Sequence, residues 1–151
     1  MNKQLGDDLM VSEYPSYFHP NDDRSSIPTL EGLPILVVDD DTDNLILMTF
    51  ILEQSGAKVI TASSAIEALE VIQKFELRLL VADISMPQVD GYSLIRKIRN
   101  LNSPQKDIPA IAVTAIATEE GRSFAVTSGF QSYLVKPVDP DDFVAEVIKL
   151  I

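Results

Sequence analysis

The sequence predicts an α/β fold, a doubly wound five-stranded parallel sheet with helices on both faces. Two observations carry this. Short apolar runs recur along the chain, at 35–38 (ILVV), 79–82 (LLVA), 110–113 (AIAV) and 133–135 (YLV), with a weaker one at 57–61 (AKVIT). The stronger runs are near-continuous, as strands buried on both faces are. Between them stand segments with helical spacing and helix-end signals, so that strand and helix alternate along the chain. That alternation is the pattern of helical crossovers between parallel strands.

The first strand, ILVV, runs straight into three aspartates, Asp39, Asp40 and Asp41. A helix is expected over 43–54, with Leu45, Leu47, Met48, Ile51 and Leu52 at its apolar positions. Asp43 reads as its N-cap, and Ser55-Gly56 as its stop. After the weak second strand, Ser64 and Glu67 have the spacing of a capping box. They open a helix over 64–75 that carries Ile66, Leu69, Val71 and Ile72. LLVA is the third strand. The helix over 92–100 shows Leu94, Ile95 and Ile98, with Arg and Lys late, where they favour the helix dipole. AIAV is the fourth strand. Thr118 with Glu119 and Glu120 opens a helix that ends near Gly129. YLV is the fifth strand. Asp139-Pro140 opens the last helix, with proline where its missing N–H costs nothing.

The chain of 151 residues fits one ordinary domain, and a 46% apolar share is enough to fill a core. The net charge of -11 argues against direct contact with nucleic acid or an anionic membrane, because such faces need a basic excess. The absence of cysteine excludes a disulfide framework, a thiolate zinc site and a Cys nucleophile, and suits a reducing, cytoplasmic compartment. No apolar run reaches the roughly 18 residues of a membrane span, and the N-terminus lacks the apolar stretch of a secretory signal. Residues 1–33 differ from the rest: Pro15, Pro20 and Pro28 stand among Ser, Asn and Asp with no sustained period. They read as a flexible N-terminal extension or linker ahead of a domain over 34–151. Tyr14, Tyr17, Phe18 and Ile27 are its residues suited to packing, and His19 is the single histidine of the chain.

The residues at the strand ends point to function. ILVV is followed by Asp39 and Asp40, LLVA by Asp83, AIAV by Thr114 and YLV by Lys136. Open parallel sheets bind ligands at the carboxyl ends of their strands, so three carboxylates, a hydroxyl and an ammonium converge there. Gathered like charges are costly unless a cation offsets them. Oxygen donors without His or Cys suit a hard cation, Mg²⁺ first. Carboxylates, Mg²⁺ and one Lys are equipment for phosphate, with one Asp as a nucleophile that accepts a phosphoryl group. Each residue alone has a plainer reading: an Asp after a strand is often an N-cap, Thr114 could be one too, and Lys136 could be a surface residue. The set as a whole does not, because its members fall on one edge of the sheet.

The motifs VVDDD, VADISMPQVDGYSLI, VTA and YLVKPV resemble the receiver domain of two-component response regulators, over residues 34–151. The resemblance implies a flavodoxin-like strand order, 2-1-3-4-5. It implies that Asp83 is the phosphoacceptor, that Asp40 binds Mg²⁺ directly, that Asp39 supports the metal partly through water, and that the backbone carbonyl of Ser85 is a further ligand. Thr114 would contact the phosphoryl group and move toward it. Lys136 would pair with the phosphate, with a cis bond to Pro137. Tyr133 would turn inward as Thr114 shifts, and Ala115 would leave the pocket open. Met86 and Pro87 would shape the loop after the acceptor, and Gly91 would supply a backbone conformation other residues resist. Ser85 stands where many receivers carry Asn. The implied partners are a sensor histidine kinase or histidine phosphotransfer protein and a downstream protein target. His19 is too isolated to serve as donor, which leaves another protein or a small molecule.

Three rivals are weaker. A haloacid-dehalogenase-type phosphatase would use Asp39 as nucleophile and Asp41 as acid/base, but Asp43 stands where that family prefers Thr or Val, and the DISMPQVDG segment would go unexplained. A calcium loop starting at Asp39 fails at Asn44, where Gly is needed, and at Phe50, where Glu is needed. A receiver degenerated into a docking module is disfavoured by the complete set of Asp, Thr and Lys. The fifth helix ends the sequence, so the expectation is a stand-alone receiver acting through protein contacts on its 118–151 face, or a receiver segment of a hybrid histidine kinase.

Overall fold

A computed structural model describes residues 30–151; Tyr14, Tyr17, Phe18, His19 and Ile27 lie outside them. Five strands alternate with five helices: β1 (Pro34–Val38), α1 (Thr42–Gln54), β2 (Lys58–Ala62), α2 (Ala65–Lys74), β3 (Leu79–Asp83), α3 (Gly91–Arg99), β4 (Ala110–Thr114), α4 (Glu119–Ser128), β5 (Ser132–Val135) and α5 (Pro140–Leu150). The strands form one parallel sheet in the order β2-β1-β3-β4-β5, as expected.

Strand geometry splits the apolar runs between two layers, since alternate side chains point to opposite faces. Ile35, Val37, Leu79, Val81, Ile111 and Val113 pack with Met48, Ile51 and Leu52 of α1 and Phe143 and Val147 of α5. Leu36, Val38, Leu80, Ala82, Ala110 and Ala112 face Ala68 and Ile72 of α2, Leu94, Ile95 and Ile98 of α3, and Ala125 of α4. β3 and β4 are buried at every position. β2 is an edge strand with a half-exposed burial pattern, which is why its run was weak. It ends one residue later than expected, at the buried Ala62.

Three local expectations need correction. The N-cap of α1 is Asp41, not Asp43. Asp41 is extended, at φ -94° and ψ 113°, and its carboxylate accepts the Asp43 N–H at 2.9 Å. Asp43 sits in the first turn, where its charge favours the helix dipole. The capping box of α2 is half formed. Ser64 Oγ accepts the Glu67 N–H at 3.1 Å, but Glu67 reaches past the cap to the Ser63 N–H at 2.7 Å. α3 begins at Gly91, capped by Asp90, whose carboxylate accepts the Ser93 N–H at 2.8 Å.

Residues 30–33, read from sequence as part of the extension, pack on the domain. Leu30 is buried in the α1–α5 layer. The Leu30 N–H donates to the Ser55 carbonyl at 2.7 Å, and the Lys58 N–H donates to the Leu33 carbonyl at 2.9 Å. Among the described residues no helix is long and apolar enough to cross a membrane.

Candidate functional site

The register of the sheet brings the polar residues together. β1 and β3 are neighbours, with Val38 opposite Ala82, so Asp39 and Asp83 follow each other across the edge. β4 lies on the other side of β3, with Asp83 opposite Val113, which puts Thr114 next along. β5 delivers Lys136 one residue past its end, where the Lys136 N–H donates to the Thr114 carbonyl at 2.7 Å.

The three adjacent aspartates have three different environments. Asp39 is fully buried. Its Oδ1 accepts the Asp41 N–H at 2.9 Å and its Oδ2 accepts Lys136 Nζ at 3.0 Å. Asp40 is exposed at the mouth of the crevice. Asp41 is spent on capping α1. Asp83 is also buried. Its Oδ1 lies 3.2 Å from Lys136 Nζ and accepts a long bond, 3.4 Å, from the Ser85 N–H. One carboxylate oxygen from each of Asp39, Asp40 and Asp83 lies within 4.8 Å of the other two. Among the described residues, Lys136 alone bridges these two buried carboxylates, and the charge of the group remains negative.

The electrostatics follow. Burial pushes the Asp83 carboxyl up to about 6, the charge of Asp39 adds to this, and Lys136 and the Ser85 N–H oppose it. Burial pulls the Lys136 ammonium down, yet its bonds and attraction to Asp39 and Asp83 outweigh that and leave it raised. A group of three oxygen donors with excess negative charge and one exposed carboxylate fits a hard divalent cation.

Around this centre, Thr114 is buried, and its Oγ1 accepts the Ile116 N–H at 3.2 Å. Tyr133 is buried too, turned inward with its hydroxyl donating to the Ile116 carbonyl at 2.7 Å. The Lys136–Pro137 bond is cis. Ala115 is exposed and Met86 is buried. Gly91 has a different reason from the one expected. Its φ is not in the left-handed region; instead a Cβ there would lie 2.9 Å from Ile84 Cα and collide with the Asp83 carbonyl. The start of α3 rests directly on the backbone of Asp83, and the Gly91 N–H donates to the Ile84 carbonyl at 2.9 Å.

The structure thus unites Asp39, Asp40, Asp83, Thr114 and Lys136. Sequence reasoning missed Asp41 as the brace of Asp39, and Asp90 as the cap that starts α3. The Asp-Gly pair ahead of a helical pattern was a legible signal for the second. The geometry also weakens the phosphatase reading, because both oxygens of Asp39 are engaged and Asp41 is committed to its cap.

Comparison with known proteins agrees with this arrangement. The family model for the response regulator receiver domain matches residues 35–148. An uncharacterised 14.6 kDa protein from the sodA1 3′ region of Leptolyngbya boryana is 47% identical over 123 residues, covering 82% of this chain and 90% of that one. The sensor histidine kinase RcsC of Escherichia coli K12 is 35% identical over 132 residues, covering 87% of this chain but only 14% of the kinase. Among solved structures, the receiver domain of the Pseudomonas aeruginosa sensor histidine kinase PA1611, with a magnesium ion coordinated in its active site cleft, superposes with a TM-score of 0.73 at 27% identity, covering 79% of this chain and 97% of that domain. With the fold, the strand-end residues and the family match in agreement, this chain belongs to the response regulator receiver domain family of two-component signalling.

Proposed function

We propose that Asp83 accepts a phosphoryl group from a partner's phosphohistidine, in a Mg²⁺-dependent reaction, and that the modification switches the 118–151 face for contact with a protein target. The observation that carries this is the pairing of buried Asp39 and Asp83 on the single ammonium of Lys136, with Asp40 open to solvent beside them. Asp83 uses Oδ1 for its bonds to Lys136 and Ser85, which leaves Oδ2 without a hydrogen-bond partner among the described residues. Oδ2 attacks phosphorus, the P–N bond of the donor breaks, and the imidazole leaves with the electron pair and takes up a proton. Lys136 is placed to shift from the Asp83 carboxylate to the arriving phosphoryl oxygens, as a point charge does readily. Asp40, Asp83, the Ser85 carbonyl and, through water, Asp39 would hold Mg²⁺, which supplies positive charge to the phosphoryl oxygens. Thr114 donates its hydroxyl to the bound phosphoryl group and, in moving, gives up the Ile116 N–H. Tyr133, bonded to the same residue, responds.

The magnesium site of the PA1611 receiver supports the choice of metal. The match to a short part of RcsC supports the alternative that these residues are the receiver segment of a larger kinase. The partners in either case are a sensor histidine kinase or histidine phosphotransfer protein and a downstream protein, in the cytoplasm. The chain's only catalysis would be of its own phosphorylation and dephosphorylation. Incubation with acetyl phosphate and Mg²⁺, read by intact mass, tests the assignment. Wild type should gain one phosphoryl group, and lose the gain with EDTA or in Asp83→Asn. Labelling that persists in Asp83→Asn would overturn the acceptor, and labelling mapped to Asp39 would restore the phosphatase reading.

A further inference from the structure

A cavity of about 250 Å³ lies beside the acceptor, lined by Ser85, Thr114, Thr118 and Gly121 and walled by two tyrosines, Tyr92 and Tyr133. Tyr133 is part of the switch proposed above. Tyr92 is not used by it, yet its contacts run in two directions. It directly follows Gly91, whose backbone rests on Asp83 and Ile84 with no room for a Cβ. The position of Tyr92 is therefore tied to the acceptor strand. Its ring meets the ring of Phe124 on α4 edge-on, with centroids 4.5 Å apart, and its hydroxyl approaches the Gly121 carbonyl at 3.4 Å. Arg96, one turn further along α3, lies over the same Phe124 ring at 5.7 Å and donates to Ser128 Oγ at 3.2 Å.

Tyr133 also contacts α4 and the loop before it. Its hydroxyl bonds the Ile116 carbonyl in the loop that leads into α4, and Arg122 of α4 lies 5.0 Å over its ring. The two hydroxyls meet over Gly121. A Cβ at Gly121 would lie 2.9 Å from the Tyr133 hydroxyl and 3.6 Å from that of Tyr92. α4 carries Gly121 in its first turn, and Phe124, although it meets the Tyr92 ring, stays half exposed, as does Val126.

We propose that Tyr92 is a second positioning residue of the switch: with Tyr133 it clasps the first turns of α4, and it links the backbone of the acceptor strand to that helix through Phe124. The inference rests on the phosphoacceptor reading for its signalling role, but the clasp itself exists without phosphate. Edge-on aromatic pairs contribute beyond the area they bury, so the ring, rather than apolar bulk, is the element that matters.

The test uses the full chain as wild type, Tyr92→Leu, Tyr92→Phe and Phe124→Leu, with and without acetyl phosphate and Mg²⁺. Intact mass reads phosphorylation, and hydrogen exchange reads the segment 116–128 against peptides from β1 and β3. Without phosphate, Tyr92→Leu and Phe124→Leu should exchange faster in 116–128 while β1 and β3 are unchanged, and Tyr92→Phe should match wild type. On phosphorylation, wild type and Tyr92→Phe should show a change in 116–128 that the two Leu variants lack, although all four gain the same mass. Unphosphorylated Tyr92→Leu that exchanges like wild type in 116–128 overturns the clasp, whether or not any variant is labelled. A phosphorylation response that survives in Tyr92→Leu overturns the link. Failure of wild type to gain mass would count against the phosphoacceptor reading, and the phosphate-free comparison alone would then decide the clasp.

Discussion

Replacing the Asp83 carboxylate with an amide should make the metal-free protein more stable. Asp83 is buried, with its side chain 4% exposed, and its carboxyl is raised from the ordinary 3.8 to about 6 by burial first and by Asp39 second. In the unfolded chain it returns to the ordinary value. Between pH 4 and 6, roughly, the folded protein therefore holds a proton that the unfolded chain releases. Stability from this group is greatest below that window and is lost as pH rises through it. At neutral pH the shift of about two units corresponds to about 3 kcal/mol. Asn has the shape of the protonated acid and never ionises. Asp83→Asn should therefore gain about 3 kcal/mol at pH 7 in EDTA, or on the order of 10 °C in Tm for a domain of this size. The gain should fade as pH falls toward 4, where the wild-type acid is neutral too. Urea unfolding followed by circular dichroism, at unchanged slope, measures it. A variant no more stable than wild type at pH 7, or a gain that persists undiminished at pH 4, would refute the account of Asp83 as an incompletely compensated buried charge.

Three further outcomes are expected from the same geometry. Lys136→Met leaves Asp39 and Asp83 buried without their shared partner, and should cost about 3–5 kcal/mol at pH 7; urea midpoints at pH 7 and 5 should show the loss shrinking as Asp83 gains a proton. Mg²⁺ at ten times its Kd should stabilise wild type by about 1.4 kcal/mol through mass action, visible as a rise in Tm that Asp40→Asn and Asp83→Asn lack. Gly91→Ala drives a Cβ against the backbone of Asp83 and Ile84, neither of which can swing away. Overpacking of this kind costs about 1–3 kcal/mol, and on the proposed phosphoacceptor reading labelling by acetyl phosphate should slow as Asp83 is displaced.

The strands, the helices and the five polar residues at four strand ends were legible in the sequence, because each depends on local pattern. A parallel sheet buried on both sides demands near-continuous apolar runs, so the first polar residue after each run marks the carboxyl edge. Helix boundaries were legible wherever a capping side chain stood beside the turn it caps, as at Ser64, Thr118 and Asp139. They were misread where neighbours compete for one cap. Asp41 and Asp43 have the same chemistry, and only the direction in which β1 releases the chain selects Asp41. Leu30 was misplaced for a related reason: nothing local distinguishes an extension from a segment that finds a seat at the end of α1.

The sequence by itself determined that Asp39, Asp40 and Asp41 stand at the end of a buried strand. Only the tertiary structure decided that one is a buried ion-paired carboxylate, one an exposed carboxylate and one a helix cap. The partner that separates the first two roles, Lys136, lies 97 residues from Asp39, and no local pattern encodes a pairing at that separation. The raised carboxyl of Asp83, the close seat of Gly91 and the meeting of Tyr92 with Phe124 are of the same kind. Each is set by which elements the sheet order makes neighbours, because burial and charge act through space while the residues that supply them are far apart along the chain.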